Sequence, residues 1–310
     1  MLSPKDWLRS QLTGDCATER SDASATLLWD VVADDWSAPA VQLAGLRAGQ
    51  LPDVRGSAEQ VGSWDGVPVA TGGADVACAL TAVAAATPAL WPRCRVVNVG
   101  SGVQTVRPAA SPRPRQAPVT HLFADAEGGC YEMVGVRNGG LTLRWVQEAL
   151  RLSWEGLVGA AARAEPGSGG VLLVPFLTGE RGAVAPTRPR AGWTGVGRRT
   201  GIPELARAAI EALGFTIRRS LELLGDSDDP VLLSGGGARD PVVRRLLTDC
   251  VHVPLTHVPL RSASAVGAAL LAARAVGHPV GIAVESTTID PSPDDRLDET
   301  YSRWLAAVDA

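Results

Sequence analysis

The sequence predicts an α/β fold with a largely parallel sheet, most clearly in its last third. Residues 231–233 form an apolar run of strand length, residues 235–238 form a glycine-rich turn, and residues 241–250 have helical apolar spacing. The alternation repeats with a strand at 255–260 and a helix at 263–275. Because strands that alternate with helices build layered sheets, the pattern favours the α/β class.

The remaining elements follow from local signals. Apolar runs bounded by glycine or proline predict strands, and apolar residues at a spacing of three or four predict helices. The predicted strands are residues 67–70, 94–99, 103–106 and 171–176, with a hairpin at 119–136. The predicted helices are residues 76–86, 141–164, 202–224 and 295–308, after a first helix that Gly14 ends. A polar loop is predicted from the 171–176 strand down to Gly195.

Composition and charge exclude several classes of protein. The 310 residues are 45% hydrophobic with a formal net charge of −4, which excludes general disorder and, without a strongly basic segment, a nucleic-acid partner. The most apolar stretch, residues 76–91, holds Pro88 and is too short for a membrane span. Five scattered cysteines without a C-x-x-C pair indicate free thiols in a reducing compartment. We therefore expect a soluble cytoplasmic protein that binds neither nucleic acid nor a membrane.

Three glycine-bearing turns follow strand-like runs and are candidate ligand sites. Thr71-Gly72-Gly73-Ala74 precedes Asp75, whose carboxylate could accept a proton from a substrate hydroxyl or cap the next helix. Gly100-Ser101-Gly102 could present backbone amides to an anion or be only a tight hairpin turn. Gly235-Gly236-Gly237-Ala238 could admit a flat ring or a phosphate, or pack a helix closely on a strand.

Six segments, taken together and in order, resemble the FGGY family of carbohydrate kinases, nearest its xylulokinase-like members. The resemblance covers nearly the whole chain. The segments are SPKDWLRSQLTGDCATERSDASATLLWDV, TGGADVACA, VNVGSGVQ, PFLTGERGAVAPTRPRAGWTGV, LLSGGGARDPVVRRLLTD and AVGAALLAA. The resemblance implies the actin-like ATPase (ribonuclease H-like) fold and ATP-dependent phosphorylation of a sugar or polyol hydroxyl.

The resemblance also implies roles for particular residues. Asp75 would be the general base, and ATP with Mg²⁺ would be the cofactors, with no protein side chain implied as a metal ligand. Gly100, Ser101 and Gly102 would hold the β- and γ-phosphates, and Gly140 would lie near the ribose. Gly236, Gly237 and Ala238 would lie against the adenosine.

The family begins with a D-x-G-T-[ST]-S phosphate-binding hairpin, and this chain contains no such motif. Met1 aligns inside the family's first domain, so we expect a domain-sized piece of roughly 150 residues to be missing. Residues 1–88 would then be the C-terminal part of domain I, carrying the catalytic aspartate. Residues 89–310 would be a complete, ATP-binding domain II, giving one complete domain plus the end of another.

We therefore expect the kinase activity of this chain to be impaired or lost. The alternative is a non-catalytic remnant, or a nucleotide-binding module of a split or degenerate sugar kinase. The expected partners are a small sugar or polyol, and either a second copy of the chain or a separately supplied N-terminal half.

Two further features receive structural interpretations. Glu180-Arg181 is interpreted as an ion pair that orders a loop rather than a catalytic dyad. His252 and His257 lack the spacing and the neighbouring carboxylates or cysteines of a metal site, so we interpret them as residues that flank a strand.

Overall fold

The computed structural model describes residues 2–114, 119–180, 184–185, 190–292 and 294–309, with Arg190 described by its backbone alone. The chain divides into two compact units, each built from three segments. Unit 1 consists of Met1–Arg93, Pro108–Glu132 and Leu260–Val284. Unit 2 consists of Cys94–Arg107, Met133–Pro259 and Glu285–Ala310. The division after residue 88 that the family resemblance implies stays a prediction.

The described part of the chain contains helices and strands in mixed order, with several runs of consecutive strands. The helices are α1 (Pro4–Thr13), α2 (Arg20–Ala25), α3 (Ala38–Leu43), α4 (Asp75–Ala86), α5 (Gly140–Leu150), α6 (Trp154–Ala161), α7 (Ile202–Leu224), α8 (Pro241–Val251), α9 (Ala263–Ala275) and α10 (Asp295–Asp309). The strands are β1 (Thr18–Glu19), β2 (Trp29–Asp30), β3 (Asp35–Trp36), β4 (Val54–Arg55), β5 (Gln60–Trp64), β6 (Val67–Ala70), β7 (Arg95–Val99), β8 (Val103–Ala109), β9 (His121–Ala124), β10 (Cys130–Val136), β11 (Leu172–Phe176), β12 (Arg190–Thr194), β13 (Val231–Ser234), β14 (Leu255–His257) and β15 (Thr287–Ile289). Short 3₁₀ turns are Ala48–Gln50, Ser168–Gly170 and Gly236–Ala238.

Unit 1 is organised around a close crossing of α4 and α9. A Cβ atom on Gly267 of α9 would lie 1.7 Å from the carbonyl oxygen of Cys78 in α4, so the two backbones touch where only glycine fits. The inner face of α4 is apolar and buried, and Leu80 and Val83 are among its buried residues. Residues far apart in sequence therefore form one packed piece of unit 1.

Helix α1 is oriented with its charged side inward. Asp6 and Arg9 are buried, whereas Trp7 and Leu8 are 57% and 56% exposed. Ser3 caps the first turn and Gly14 ends the helix in the left-handed conformation, as its position predicts. The polar face packs inward because Arg9 donates hydrogen bonds to the carboxylate of Asp6 and to the backbone carbonyl oxygen of Thr71 in unit 1.

The sheet of unit 2 is mixed. Strand β13 is parallel to both β7 and β14, whereas β15 and β8 pair antiparallel with β14 and β7. The predicted parallel arrangement therefore holds for β14, β13 and β7 but not for the whole sheet. Ser234 is paired with Asn98, so β13 and β7 end at the same edge. Both glycine turns of unit 2 follow directly from these two strand ends.

The core of unit 2 surrounds α7, which the apolar spacing predicts over the residues observed. Its buried residues include Ile210, Phe215 and Ile217. Trp304 of α10 is fully buried, contacts Phe215, and donates its indole N–H to the carbonyl oxygen of Leu173 at 2.9 Å. Helix α10 thus closes this core, as the aromatic residues near the chain end suggest.

Two predicted boundaries are wrong. The segment expected to be loop down to Gly195 contains β12, which pairs antiparallel with β11. Its sequence, RAGWT, has too little alternation to predict a strand, and its partner β11 supplies the missing stabilisation. The strand expected at 255–260 ends at His257. None of the helices in the described part of the chain is both long and apolar enough to cross a membrane.

Candidate functional site

Asp75 lies at the start of α4 and is exposed. Ala74, not Asp75, occupies the N-cap position. The Asp75 carboxylate accepts the backbone N–H of Val76 at 2.8 Å, a position in the first helical turn where a negative charge is favoured. The carboxylate therefore accepts one N–H of the first helical turn without occupying the N-cap position. It remains exposed to solvent.

The turn before Asp75, residues 71–74, is anchored at both ends. The guanidinium of Arg9 donates to the carbonyl oxygen of Thr71 at 3.0 Å. The backbone N–H of Ala74 donates to the hydroxyl oxygen of Ser21 at 2.9 Å. Gly72 has a φ of +82°, a conformation that favours glycine. The position of Asp75 thus depends on side chains from α1 and α2.

Both anchors connect to an ion cluster made of Lys5, Asp6, Arg9, Glu19 and Asp22. Arg9 is a member of the cluster, and Ser21 hydrogen-bonds to Glu19. The Lys5 ammonium lies 2.6 Å from Asp6, 3.0 Å from Asp22 and 3.4 Å from Glu19. Burial tends to lower the pKa of Lys5, but these carboxylates outweigh it and raise the pKa above its ordinary value. Lys5 is the chain's one lysine, and it supports the turn that carries Asp75.

Glu19 joins the cluster to the turn. Its carboxylate is fully buried and accepts the hydroxyl of Ser21 at 2.7 Å, and Ser21 in turn holds Ala74. It also accepts the hydroxyl of Ser57 at 3.1 Å and caps α2. A buried carboxylate requires such partners, and here they fix the approach to Asp75.

In unit 2, the 100–102 turn is closed by the segment that begins α5. The backbone N–H groups of Gly139 and Leu141 donate to the carbonyl oxygen of Ser101 at 3.1 and 2.9 Å. The N–H of Gly140 donates to the carbonyl oxygen of Gly100 at 2.9 Å. The backbone amides of Ser101 and Gly102 donate to no other described residue. The carbonyl groups are therefore satisfied by protein, and two amides remain for an anion.

Glycine is required here by contact between backbones. A Cβ atom on Gly102 would lie 2.3 Å from the carbonyl oxygen of Val136, and one on Gly140 would lie 2.6 Å from that of Gly100. One on Gly139 would lie 2.7 Å from the carbonyl carbon of Gly102. The sequence reasoning named Gly102 and Gly140 but missed Gly139, for which the only signal was the Asn-Gly-Gly turn.

The 235–238 turn divides into packing glycines and an open one. Cβ atoms on Gly235 and Gly237 would each lie 2.5 Å from an atom of Val99 at the end of β7. A Cβ on Gly236 would have no atom within 4 Å. Ala238 is fully buried. Close packing, one of the two interpretations of the turn, is observed at Gly235 and Gly237, whereas the ligand-binding interpretation, for which Gly236 leaves space, stays a prediction.

A cavity of about 470 Å³ lies within unit 2 where these turns meet. Five of the residues expected from the sequence line it: Gly100, Ser101, Gly140, Gly236 and Gly237. Gly102 and Ala238 are not among the lining residues. The cavity lies at the carboxyl ends of β7 and β13, where α/β sheets bind ligands.

Residues from α5, α6 and the segment before α8 complete the lining, and sequence reasoning missed them. Leu143, Arg144 and Gln147 come from α5 and Trp154 from α6, whereas Arg239 and Asp240 directly precede α8. Trp154 brings an aromatic surface, and the two arginines bring positive charge that the carboxylate of Asp240 offsets in part. A single arginine or tryptophan in a helix gives no signal of a cavity when its neighbours there are distant in sequence.

The lining of the cavity offers groups that suit a nucleotide. Amides at the 100–102 turn suit phosphate oxygens, and the space beside Gly236 suits a flat ring. In the part of the chain that the structure describes, no group of three or more His, Cys, Asp or Glu side chains could hold a metal ion.

The fold is that of the actin-like ATPases, as the sequence predicts. The structure superposes with a TM-score of 0.86 on a ligand-bound xylulose kinase from Lactobacillus acidophilus, at 19% identity, covering 98% of this chain and 66% of that one. Models of the C-terminal and N-terminal domains of the FGGY family of carbohydrate kinases match residues 101–276 and 1–82. The chain belongs to the FGGY family of carbohydrate kinases.

Curated relatives agree with this assignment. The chain is 30% identical over 291 residues to a xylulose kinase from Escherichia coli, covering 88% of this chain and 58% of that protein. It is 27% identical over 335 residues to a glycerol kinase from Paracidovorax citrulli, covering 97% of this chain and 66% of that protein. The chain thus spans about three fifths of the length of the curated relatives it matches.

Proposed function

We propose that the chain binds a nucleotide in the cavity of unit 2 and carries the nucleotide-binding and general-base functions of a sugar or polyol kinase. The observation that carries the proposal is the pair of glycine turns at the ends of the parallel strands β7 and β13, which open into one cavity. The names of the relatives, xylulose and glycerol kinases, support a polyhydroxylated substrate.

In this proposal each part of the cavity has a separate task. The amides of Ser101 and Gly102 would donate to phosphate oxygens, with Arg144 and Arg239 adding positive charge. The open face of Gly236 would admit the adenosine. When bound, ATP would supply the phosphoryl group and Mg²⁺ would neutralise charge on its phosphates.

Asp75 would accept the proton of the attacking hydroxyl. An exposed carboxylate at the first turn of a helix can be reached by a substrate hydroxyl, which a general base requires. The ion cluster behind the 71–74 turn would hold it in place, since catalysis of phosphoryl transfer depends on positioning.

The test is sugar-dependent ADP release in a coupled assay with pentuloses, hexonates and polyols. The kinase proposal predicts release from the unaltered chain at an impaired rate, and a further loss of about a hundredfold or more in Asp75→Asn, because a positioned general base contributes about that much. Asp65→Asn, at a residue on the turn between β5 and β6, is the control and should leave release unchanged.

A second function is favoured by the position of the cavity. It lies wholly within unit 2, so we assign nucleotide binding to unit 2 alone. A chain that binds ADP but shows no sugar-dependent release would be a nucleotide-binding module. That result would contradict the kinase proposal and leave the nucleotide site in place.

A further inference from the structure

Glu180 is a buried carboxylate of unit 2 that the proposed chemistry does not use. It lies in the loop after β11 and is 2% exposed. The sequence predicts an ion pair with Arg181, which lies outside the described residues, so this stays a prediction. The described acceptor contacts of Glu180 lead to the segment after β10, which precedes the cavity residue Gly140.

The carboxylate of Glu180 receives three donors from the segment after β10. The backbone N–H of Arg137 donates to its two oxygens at 2.9 and 3.0 Å. The backbone N–H and side-chain amide of Asn138 donate to one of them at 3.2 and 2.8 Å. Hydrogen bonds to an ionised acceptor are the strong ones, so Glu180 fixes the backbone at residues 137–138.

Asn138 strengthens this attachment. It is 1% exposed, and its side-chain amide also donates to the carbonyl oxygen of Gly179 at 2.8 Å. Its side-chain oxygen accepts the backbone N–H of Thr178 at 3.3 Å. The loop after β11 and residues 137–138 are therefore held together from both sides.

The next residues along the chain are those that close the 100–102 turn. Gly139, Gly140 and Leu141 donate to the carbonyl oxygens of Gly100 and Ser101. Contacts there are tight enough that an added methyl group on Gly140 would come within 2.6 Å of backbone. A small shift of residues 137–138 is therefore transmitted directly to the turn that presents amides to the cavity.

We propose that Glu180 is a positioning residue for the phosphate end of the nucleotide site, acting through Asn138 and the two glycines that follow it. The proposal rests on nucleotide binding by unit 2. It assigns residues 178–180 to the phosphate end of the site and not to the adenosine end.

Glu211 provides a matched control. It is another buried glutamate of unit 2, 1% exposed, that accepts the backbone N–H of Gly167 at 3.0 Å and the hydroxyl of Ser168 at 2.8 Å. It also pairs with Arg207 at 2.7 Å. None of these four residues lines the cavity. Glu211→Gln therefore alters a buried loop-anchoring carboxylate without touching the site.

The experiment measures the affinity of the full chain for ADP and for AMP by calorimetry or ligand-detected NMR. Glu180→Gln keeps the shape of the side chain but removes its charge. It also replaces one of the two oxygens that accept the Arg137 N–H by an amide nitrogen, which cannot accept it. We expect a loss of about tenfold in ADP affinity, the size expected for a charge-assisted hydrogen bond. AMP lacks the terminal phosphate, so its affinity should change less than about twofold. Glu211→Gln should leave both affinities within that margin.

Three results would overturn the proposal. One is an equal loss of affinity for ADP and for AMP in Glu180→Gln, which indicates general destabilisation. Another is a loss of ADP affinity in Glu211→Gln as large as that in Glu180→Gln.

If Glu180→Gln does not fold, Glu180→Asp is the deciding variant, because it keeps the charge and shortens the side chain. Glu180→Asp should weaken ADP but not AMP, and an unchanged ADP affinity is the third contrary result. Failure of the unaltered chain to bind either nucleotide would instead remove the site itself, and the role of Glu180 with it.

Discussion

The 71–74 turn of unit 1 and the 100–102 turn of unit 2 are held in place by different interactions. Side chains contribute to holding the first, through Arg9, Ser21 and the ion cluster behind them, in addition to backbone hydrogen bonds from Thr71 and Gly72. Only backbone groups hold the second, through N–H donors from Gly139 to Leu141 and through contacts that exclude any Cβ. One turn therefore depends in part on charge and the other on the absence of side chains.

The difference matches what each turn is proposed to present. A turn that offers backbone amides to an anion must keep side chains away, and glycine is the residue that does so. A turn that offers a carboxylate can be supported by charged neighbours, provided that they are paired among themselves. The two turns should accordingly respond to different perturbations.

The largest effect is expected from Gly102→Ala. Its added methyl group meets the carbonyl oxygen of Val136 at 2.3 Å, and neither backbone can yield without loss of the turn. We expect a loss of about 3 kcal/mol in the stability of unit 2, measured by denaturant unfolding and local hydrogen exchange. Gly197→Ala, with no atom within 4 Å of the added methyl group, is the control and should be neutral. A neutral Gly102→Ala would mean that the backbone contacts do not hold this turn.

Lys5→Met should have an intermediate effect that depends on pH. It removes a cation from two fully buried carboxylates, Asp6 and Glu19. We expect a loss of about 2 kcal/mol in the stability of unit 1 at neutral pH, discounted because Lys5 is partly exposed. Lys5→Arg, which keeps the charge, should lose much less, and Arg55→Met, at an exposed ion pair, should be neutral.

The pH dependence of that variant follows from Asp6. Burial works to raise the pKa of Asp6, but hydrogen bonds from Lys5 and Thr18 outweigh it and lower the pKa below its usual value. A lowered carboxyl pKa stabilises the fold at neutral pH, and this contribution is lost as the pH falls below about 4. The difference between Lys5→Met and the unaltered chain should therefore shrink in acid. A difference independent of pH would show that Lys5 acts by packing and not by charge.

Gly236→Ala should have the smallest effect on stability. The methyl group enters free space, so unfolding should change by less than about 0.5 kcal/mol. In the proposed site it would occupy room needed by the ring, so ADP and AMP should both bind about tenfold more weakly. Equal loss for the two nucleotides would contrast with the selective loss expected of Glu180→Gln. Unchanged binding would mean that the ring does not lie against Gly236.

Long periodic elements were predictable from the sequence. The apolar spacing predicts α7, and the alternation of strand and helix predicts α9, over the residues observed. Strand β12 was missed because its five residues include Gly192 and depend on pairing with β11. Short strands such as β1 likewise form through tertiary pairing, with β4, and have no local signal.

The candidate site was predictable where chemistry follows from the backbone. Gly100 and Gly236 reach the cavity because turns at strand ends must meet at one edge of a sheet, whereas Gly140 was expected only from the family resemblance. Trp154 and Arg144 were missed because a helix face is directed into a cavity only by packing. The interpretation of Glu180-Arg181 as an ion pair that orders a loop stays a prediction, because Arg181 lies outside the described residues. The bonds of Glu180 to residues some forty positions away cannot be read from spacing.

The crossing of α4 and α9 has a consequence for the order in which the protein is synthesised. Unit 1 contains the first segment, Met1–Arg93, but also Leu260–Val284, whose helix covers α4 at Cys78. A ribosome adds roughly 5–20 residues per second, so the intervening stretch takes on the order of ten seconds or more. During that time the apolar side of α4 has no α9 to cover it. A nascent chain arrested before α9 should therefore be bound by chaperones that recognise exposed apolar segments, and one extended past α9 should be released.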